Sequence, residues 1–193
     1  MTVSMLDTKT ALLVVDLQKG VVGLPTAHPI DGGIKNAVAL TEAFRKHALP
    51  VVFINVDGRP PGRTEQPRPH GGFPSGWSDL IAELQRQPGD HIVTKRTWGA
   101  FTNTGLGKHL GECGVTQVVI VGVATSAGVE STARQAHELG FNVALAIDAM
   151  TDTNADAHHN SIAQIFPRLG ETGTTQQLVD LLDALPSRTT GNV

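Results

Sequence analysis

One stretch, Val115 to Leu139, constrains the fold of this chain more than any other. Val118, Val119, Ile120 and Val121 are consecutive and β-branched, a pattern that suits a strand covered on both faces, and Gly122 ends the run. Beyond it, Val129, Thr132, Ala133, Ala136 and Leu139 recur at helical spacing, with Glu130, Arg134, Gln135 and Glu138 between them. The segment therefore reads as a buried strand, a tight turn and an amphipathic helix. The helix N-terminus at the turn carries unpaired N–H groups and the positive end of the helix dipole, so it can hold an anion or a developing oxyanion. An ordinary βα junction has the same form, and only the rest of the chain can give this one a function.

Other strands follow the same logic. Ala11 to Val15 is a buried strand ending at Asp16, followed by Leu17 and Gln18. Ile34, Val38, Thr41 and Phe44 mark a helix that stops at Leu49-Pro50, and Val51 to Val56 is the next strand. A short helix is expected around Asp79 to Gln85, a short strand from His91 to Thr94 with Lys95 at its end, and a helix from Thr102 to Leu110. Phe141 to Ile147 is a further strand ending near Asp148. Thr153 with Asp156 suggests a capping box opening a helix through Phe166. Gly170 to Thr174 reads as a short edge strand, and Gln176 to Leu185 as the last helix. Alternating strands and helices predict a three-layer, doubly wound α/β sandwich of about six mostly parallel strands with helices on both faces. In such a sheet the strands' C-terminal ends share one edge, where Asp16, Lys95 and the turn after Val121 converge. A lysine beside an aspartate keeps the carboxylate ionised or shares its proton, and the pair can move a proton during catalysis.

Between Asp57 and Trp77 the chain is rich in proline and glycine, and so long an irregular stretch inside a domain is commonly functional. Arg59, Arg63, Arg68 and His70 are candidates to meet a carboxylate or phosphate, with Phe73 and Trp77 to close over it. Cys113 precedes the central strand, on the wrong edge of the sheet for this site, and reads as non-catalytic. The adjacent His158 and His159 point about 100° apart on a helix and do not make a simple metal pair. No metal-ligand spacing is present, and neither metal nor cofactor is expected.

Length and charge narrow the partners. The 193 residues, 40% of them hydrophobic, suit one domain spanning 1–193. A formal charge of −3 gives no footprint for nucleic acid, and no apolar run approaches the ~20 residues of a membrane span. A lone cysteine and the absence of a leader-like N-terminus lead to the expectation of a cytoplasmic protein acting on a small molecule.

The order of these residues resembles the isochorismatase-like, or cysteine hydrolase, superfamily. Asp16-Leu17-Gln18, Lys95, and Gly122-Val123-Ala124-Thr125 running into Val129-Glu130-Ser131-Thr132-Ala133-Arg134 look like its signature segments. The resemblance implies a hydrolase, often a homo-oligomer, with Asp16 and Lys95 catalytic. It also implies a non-proline cis peptide at Val123-Ala124, and backbone of Val123, Ala124 and Thr125 against the substrate. Gln18, Arg63 and Trp77 complete the expected substrate-binding set.

In this family a cysteine precedes the Val-Glu-Ser-Thr-Ala-Arg segment, and Gly128 stands there in this chain. The resemblance then implies a route without a thiol nucleophile, as in isochorismatases proper, where an aspartate protonates a vinyl ether and water attacks the resulting oxocarbenium ion. Two alternatives stay open. One is a catalytically inactive small-molecule-binding member. The other is a Ser126-dependent hydrolase, since Ala124-Thr125-Ser126-Ala127-Gly128 is a variant nucleophile elbow followed by an acid (Asp148 or Asp152) and a histidine (His158 or His159).

Overall fold

The apolar runs become the strands of one sheet. In the computed structural model, which describes residues 2–66 and 71–186, the strands are β1 (Thr10–Val15), β2 (Val51–Val56), β3 (His91–Lys95), β4 (Gln117–Val123), β5 (Asn142–Thr151) and β6 (Glu171–Gly173). They form a six-stranded sheet in the order β3-β2-β1-β4-β5-β6, and every neighbouring pair is parallel. The helices are α1 (Lys19–Val22), α2 (Ile30–Lys46), α3 (Leu106–Glu112), α4 (Glu130–Glu138), α5 (Ala155–Asn160) and α6 (Thr175–Asp183). Thr125–Val129 winds as a π-helical turn leading directly into α4.

Strand alternation divides the core between the two faces of the sheet. Leu12, Val14, Phe53, Val119 and Val121 pack with Ala37, Leu40 and Phe44 of α2 and Leu178 and Leu182 of α6. Ala11, Leu13, Val15, Ile54, Val118 and Ile120 face Leu106 and Leu110 of α3, Val129 at the end of the π-helical turn, and Ala133 and Ala136 of α4. Both faces of β1 and β4 are therefore dry, which is why those strands carry no polar alternation.

The strand order reverses direction between β1 and β4, and in open parallel sheets the crevice at such a switch point is where ligands bind. Here the two strands are drawn together by Gly122. A Cβ on this residue would lie 1.9 Å from the Val15 carbonyl oxygen, and its φ of +121° is one that side-chain-bearing residues rarely adopt.

Several local expectations change. Asp79 to Gln85 is not an α-helix: Leu80 makes an antiparallel bridge with Gln18, and only Ala82–Leu84 turns, as 3-10 helix. The helix expected from Thr102 begins at Leu106, after Gly105 takes a left-handed φ of 74°. β5 continues past Ile147 through a register shift to Thr151, so Asp148 lies within the strand, not at its C-terminal end. Its Oδ1 accepts from the Thr175 N–H and hydroxyl at the start of α6, and the acid at the strand's end is Asp152. The cap of α5 is Asn154 rather than Thr153, its side chain accepting from Ala157 N–H. Among the described residues no helix is long and apolar enough to cross a membrane.

Candidate active site

Asp16 is the first residue beyond β1, held at φ 52° with its N–H donating to the Ile54 carbonyl. A left-handed conformation is one that aspartate tolerates better than most residues, and it turns the carboxylate off the strand axis. Lys95 ends β3, two strands away across β2, opposite Val56 in the register. Its Nζ donates to Asp16 Oδ2 at 2.7 Å and to the Thr97 carbonyl at 3.2 Å. Both side chains are withdrawn from solvent, with Asp16 5% and Lys95 2% exposed. Burial pushes the Asp16 carboxyl up to about 6, against the charge and hydrogen bond of Lys95, which pull it down. Asp16 Oδ1 is buried and has no hydrogen-bond partner among the described residues. The site thus contains a carboxyl group that changes its protonation near neutral pH and keeps one oxygen uncommitted.

These groups form the floor of a cavity of about 750 Å³. Val123, Ala124, Ala127 and Gly128 line it from the β4 side, Val21 and Leu24 from the segment after Asp16, and Arg59, Phe73 and Trp77 from the long loop. Residue 128 faces the acid directly: a Cβ there would lie 2.9 Å from Asp16 Oδ2 and 3.1 Å from Val15 Cγ1. The Val123-Ala124 peptide is cis. Trp77 stacks on Phe73 with centroids 3.8 Å apart, and the Arg59 guanidinium lies over the other ring at 4.7 Å. Gly20 makes space for the indole, since a Cβ there would fall 2.0 Å from Trp77 Nε1.

Three residues expected to meet substrate, Gln18, Thr125 and Arg63, are not among those lining the cavity. The buried Gln18 amide accepts from Val56 N–H and donates to the Val56 and Trp77 carbonyls, so it fastens the end of β2 to the loop carrying Trp77. Thr125 is fully buried, its hydroxyl donating to the Thr151 carbonyl and lying 2.8 Å from His158 Nδ1. With the hydroxyl proton spent on Thr151, His158 Nδ1 is the donor in that contact. Arg63 is exposed and is not among the residues lining the cavity, whereas Arg59 is. Arg68 and His70 lie outside the described residues.

The turn also differs from an open anion cradle. Ser126 N–H donates to Asp152 Oδ2 at 2.7 Å, and the Ala127 and Val129 N–H groups both donate to the Ala124 carbonyl. Ser126 Oγ donates to the same Asp152 oxygen at 2.8 Å, while His158 sits on Thr125. Serine, histidine and acid therefore do not line up as nucleophile, base and orienting group, and Ser126 is not part of the cavity wall. Cys113 is exposed beyond the C-terminus of α3, before β4 begins, on the opposite edge of the sheet. Sequence reasoning overlooked Trp98, which lines the cavity while remaining 64% exposed. Its signal was available: an aromatic residue three places after Lys95 is carried on the loops of the same sheet edge. Among the described residues no group of three or more His, Cys, Asp or Glu is arranged to hold a metal.

Fold and site together define a parallel α/β protein with an acid–lysine pair at the switch point of its sheet. A family model described as the isochorismatase domain matches residues 10–177. The isochorismatase family protein YwoC of Bacillus subtilis is 38% identical over 180 residues, covering 89% of this chain and 93% of YwoC. Nicotinamidase 3 of Arabidopsis thaliana is 30% identical, covering 80% of this chain and 79% of its own length. Among solved structures, an isochorismatase family protein from Burkholderia thailandensis superposes with a TM-score of 0.89 at 36% identity, covering 93% of this chain and 98% of that one. The chain belongs to the isochorismatase-like family of hydrolases.

Proposed function

We propose that this chain hydrolyses a small organic substrate without a cysteine nucleophile, with Asp16 as the proton-transfer group. The observation that carries the reading is the close approach of residue 128 to Asp16 Oδ2, with glycine at that position. A side chain there would press on the carboxylate; its absence leaves room for substrate directly against the acid.

The chemistry follows from the Asp16 carboxyl at about 6. A protonated Asp16 gives its proton to the terminal carbon of an enol-ether double bond, leaving an oxocarbenium ion. Water adds to the cationic carbon and loses a proton to the Asp16 carboxylate. The hemiketal then collapses to a carbonyl compound and an alcohol, so the acid is regenerated and no covalent enzyme intermediate forms. Lys95 holds the carboxylate in place and stabilises its ionised form after the transfer. Trp77 and Phe73 offer a flat wall for a ring.

The test is product formation from isochorismate, beside a panel of small amides, by wild type and Asp16→Asn. Cleavage of the vinyl ether, reduced by on the order of 10²-fold or more in the variant, is the expected result. Amide turnover that survives Asp16→Asn, or an Asp16→Asn variant as active as wild type on every substrate cleaved, would sink the mechanism. Ligand binding without turnover on any member of the panel would favour a binding protein instead.

A further inference from the structure

The loop between β3 and α3 carries Thr97 and Trp98 of the cavity wall, and α4 holds it in place. Lys95 Nζ has two acceptors, Asp16 Oδ2 and the Thr97 carbonyl, so where the ammonium stands depends on where Thr97 stands. The Thr97 hydroxyl donates to the Gly99 carbonyl at 2.8 Å, which closes the turn carrying Trp98 between them. From Gly99 onward the chain lies against one face of α4, to which Thr132 and Gln135, three residues apart, both belong. A Cβ on Gly99 would lie 2.3 Å from Gln135 Oε1, so the backbone passes across the amide. Phe101 N–H donates to that Oε1 at 2.9 Å, and Gln135 Nε2 donates to the Thr102 hydroxyl at 2.7 Å. Between these contacts the Ala100 N–H donates to the Thr132 hydroxyl, which itself donates to the Gly128 carbonyl. Lys95 and residue 128 both approach Asp16 Oδ2, and α4 is the element to which both are tied.

We infer that Gln135 is a positioning residue, acting through this loop to hold the Lys95 ammonium on Asp16 and Trp98 at the cavity wall. It is not itself among the residues lining the cavity. The inference rests on the reading of Asp16 and Lys95 as the proton-transfer pair, and deepens it by naming what sets their separation. Both ends of the Gln135 amide are used, the oxygen on a backbone N–H and the nitrogen on a side chain, so the loop is fixed in rotation as well as in place. Such a hold is needed because Lys95 is the last residue of a five-residue edge strand, which restrains the chain beyond it weakly. Thr132 is fully buried, whereas Gln135 is half-buried and reaches outward to the loop. Without the two Gln135 hydrogen bonds the tie to α4 reduces to the one at Ala100. Thr97 is then free to turn, and the ammonium exchanges one of its two acceptors for water.

The experiment needs no turnover, so its outcome is separate from that of the proposed hydrolysis. Wild type is compared by NMR with Gln135→Met, which keeps the length of the side chain and loses both hydrogen bonds. A second variant, Gln135→Glu, keeps acceptors for the Phe101 N–H and the Thr102 hydroxyl. The probes are solvent exchange of the ¹⁵N-labelled Lys95 ammonium, the indole N–H resonances of the chain's two tryptophans, and amide exchange in β1 and β4. In Gln135→Met the Lys95 ammonium is expected to exchange about tenfold faster or more, and the Trp98 indole resonance to move while that of Trp77 stays. Gln135→Glu is expected to remain within about twofold of wild type, with the β1 and β4 amides unchanged in both variants. Unaltered Lys95 exchange in Gln135→Met would overturn the inference. So would equal acceleration of Lys95 and the central amides, which would make Gln135 a stabilising residue only, or a Gln135→Glu protein as fast as Gln135→Met. If Gln135→Met does not fold, Thr102→Val decides: it removes one of the two hydrogen bonds at an exposed residue, and the inference requires faster Lys95 exchange with unchanged central amides.

Discussion

At the scale of single residues, the site depends on what is missing at position 128 as much as on what is present at 16 and 95. A methyl group added at Gly128 would lie within 3 Å of the Asp16 carboxylate, whose other neighbour is a fixed ammonium. Gly128→Ala is therefore expected to displace Asp16 from Lys95 and lower turnover by on the order of tenfold or more, at a stability cost of about 1–2 kcal/mol. Steady-state kinetics beside thermal unfolding separates the two effects, and an unchanged rate would show that residue 128 does not crowd the acid. Gln18→Ala has the opposite signature. It strips hydrogen bonds from both polar groups of Val56 and from the Trp77 carbonyl, and is expected to cost about 2–3 kcal/mol in denaturant unfolding. The sequence put Gln18 and Asp16 in one motif, and proximity to the candidate acid gave no means of telling a brace from a ligand. Asp16 and Lys95 were legible because each ends an apolar run. Thr125 was not, since neighbours on a turn point in different directions and only the fold decides which one faces the cavity.

At the scale of elements, strands were easier to read than helices because a parallel sheet buried on both faces leaves uninterrupted apolar runs. The exceptions have local causes. β5 extends through polar Asp148 because a register shift lets that side chain leave the strand and cap α6. Residues 79–85 lack an α-helix because Leu80 is recruited to pair with Gln18 at the cavity's edge, leaving only the 3-10 turn of Ala82–Leu84. The cap of α6 is a full capping box between Thr174 and Gln177, a spacing the sequence carries as plainly as the one at Thr153. Thr174→Ala is expected to cost about 1 kcal/mol, seen as a lowered denaturation midpoint with an unchanged slope. Gly122→Ala is expected to be far worse, about 3 kcal/mol or more, since its methyl group would overlap the Val15 carbonyl between the two central strands. A Gly122→Ala protein as stable as wild type would mean that β1 and β4 do not meet as closely as this geometry requires.

For the molecule as a whole, the buried acid couples stability to pH. Asp16 holds its proton more tightly folded, near 6, than at the 3.8 of an unperturbed carboxyl. Its contribution is therefore most favourable below about pH 4 and is lost as pH rises through 6. Asp16→Asn does not ionise, so relative to wild type it is expected to gain about 2 kcal/mol between pH 4 and pH 7. Paired denaturation curves across that window check the sign; a variant that loses ground as pH rises would reverse it. If Asp16 delivers its proton as an acid, activity has the same direction and falls above pH 6, whereas a base would give a rising profile.

The reach of Lys95 has a consequence for how this protein fails. Its strand is the outermost on one side of the sheet and only five residues long, yet its ammonium must cross β2, roughly 10 Å of sheet, to meet Asp16. An edge strand of that length opens more readily than the interior strands. On gentle heating the Asp16–Lys95 pair is expected to come apart while the central strands are still intact. The molecule then carries its own fuse: function disconnects at the margin before the architecture gives way, and recovers on cooling as soon as that margin closes again. Activity that declines reversibly below the unfolding transition seen by circular dichroism would display it, and a loss coincident with global unfolding would remove it.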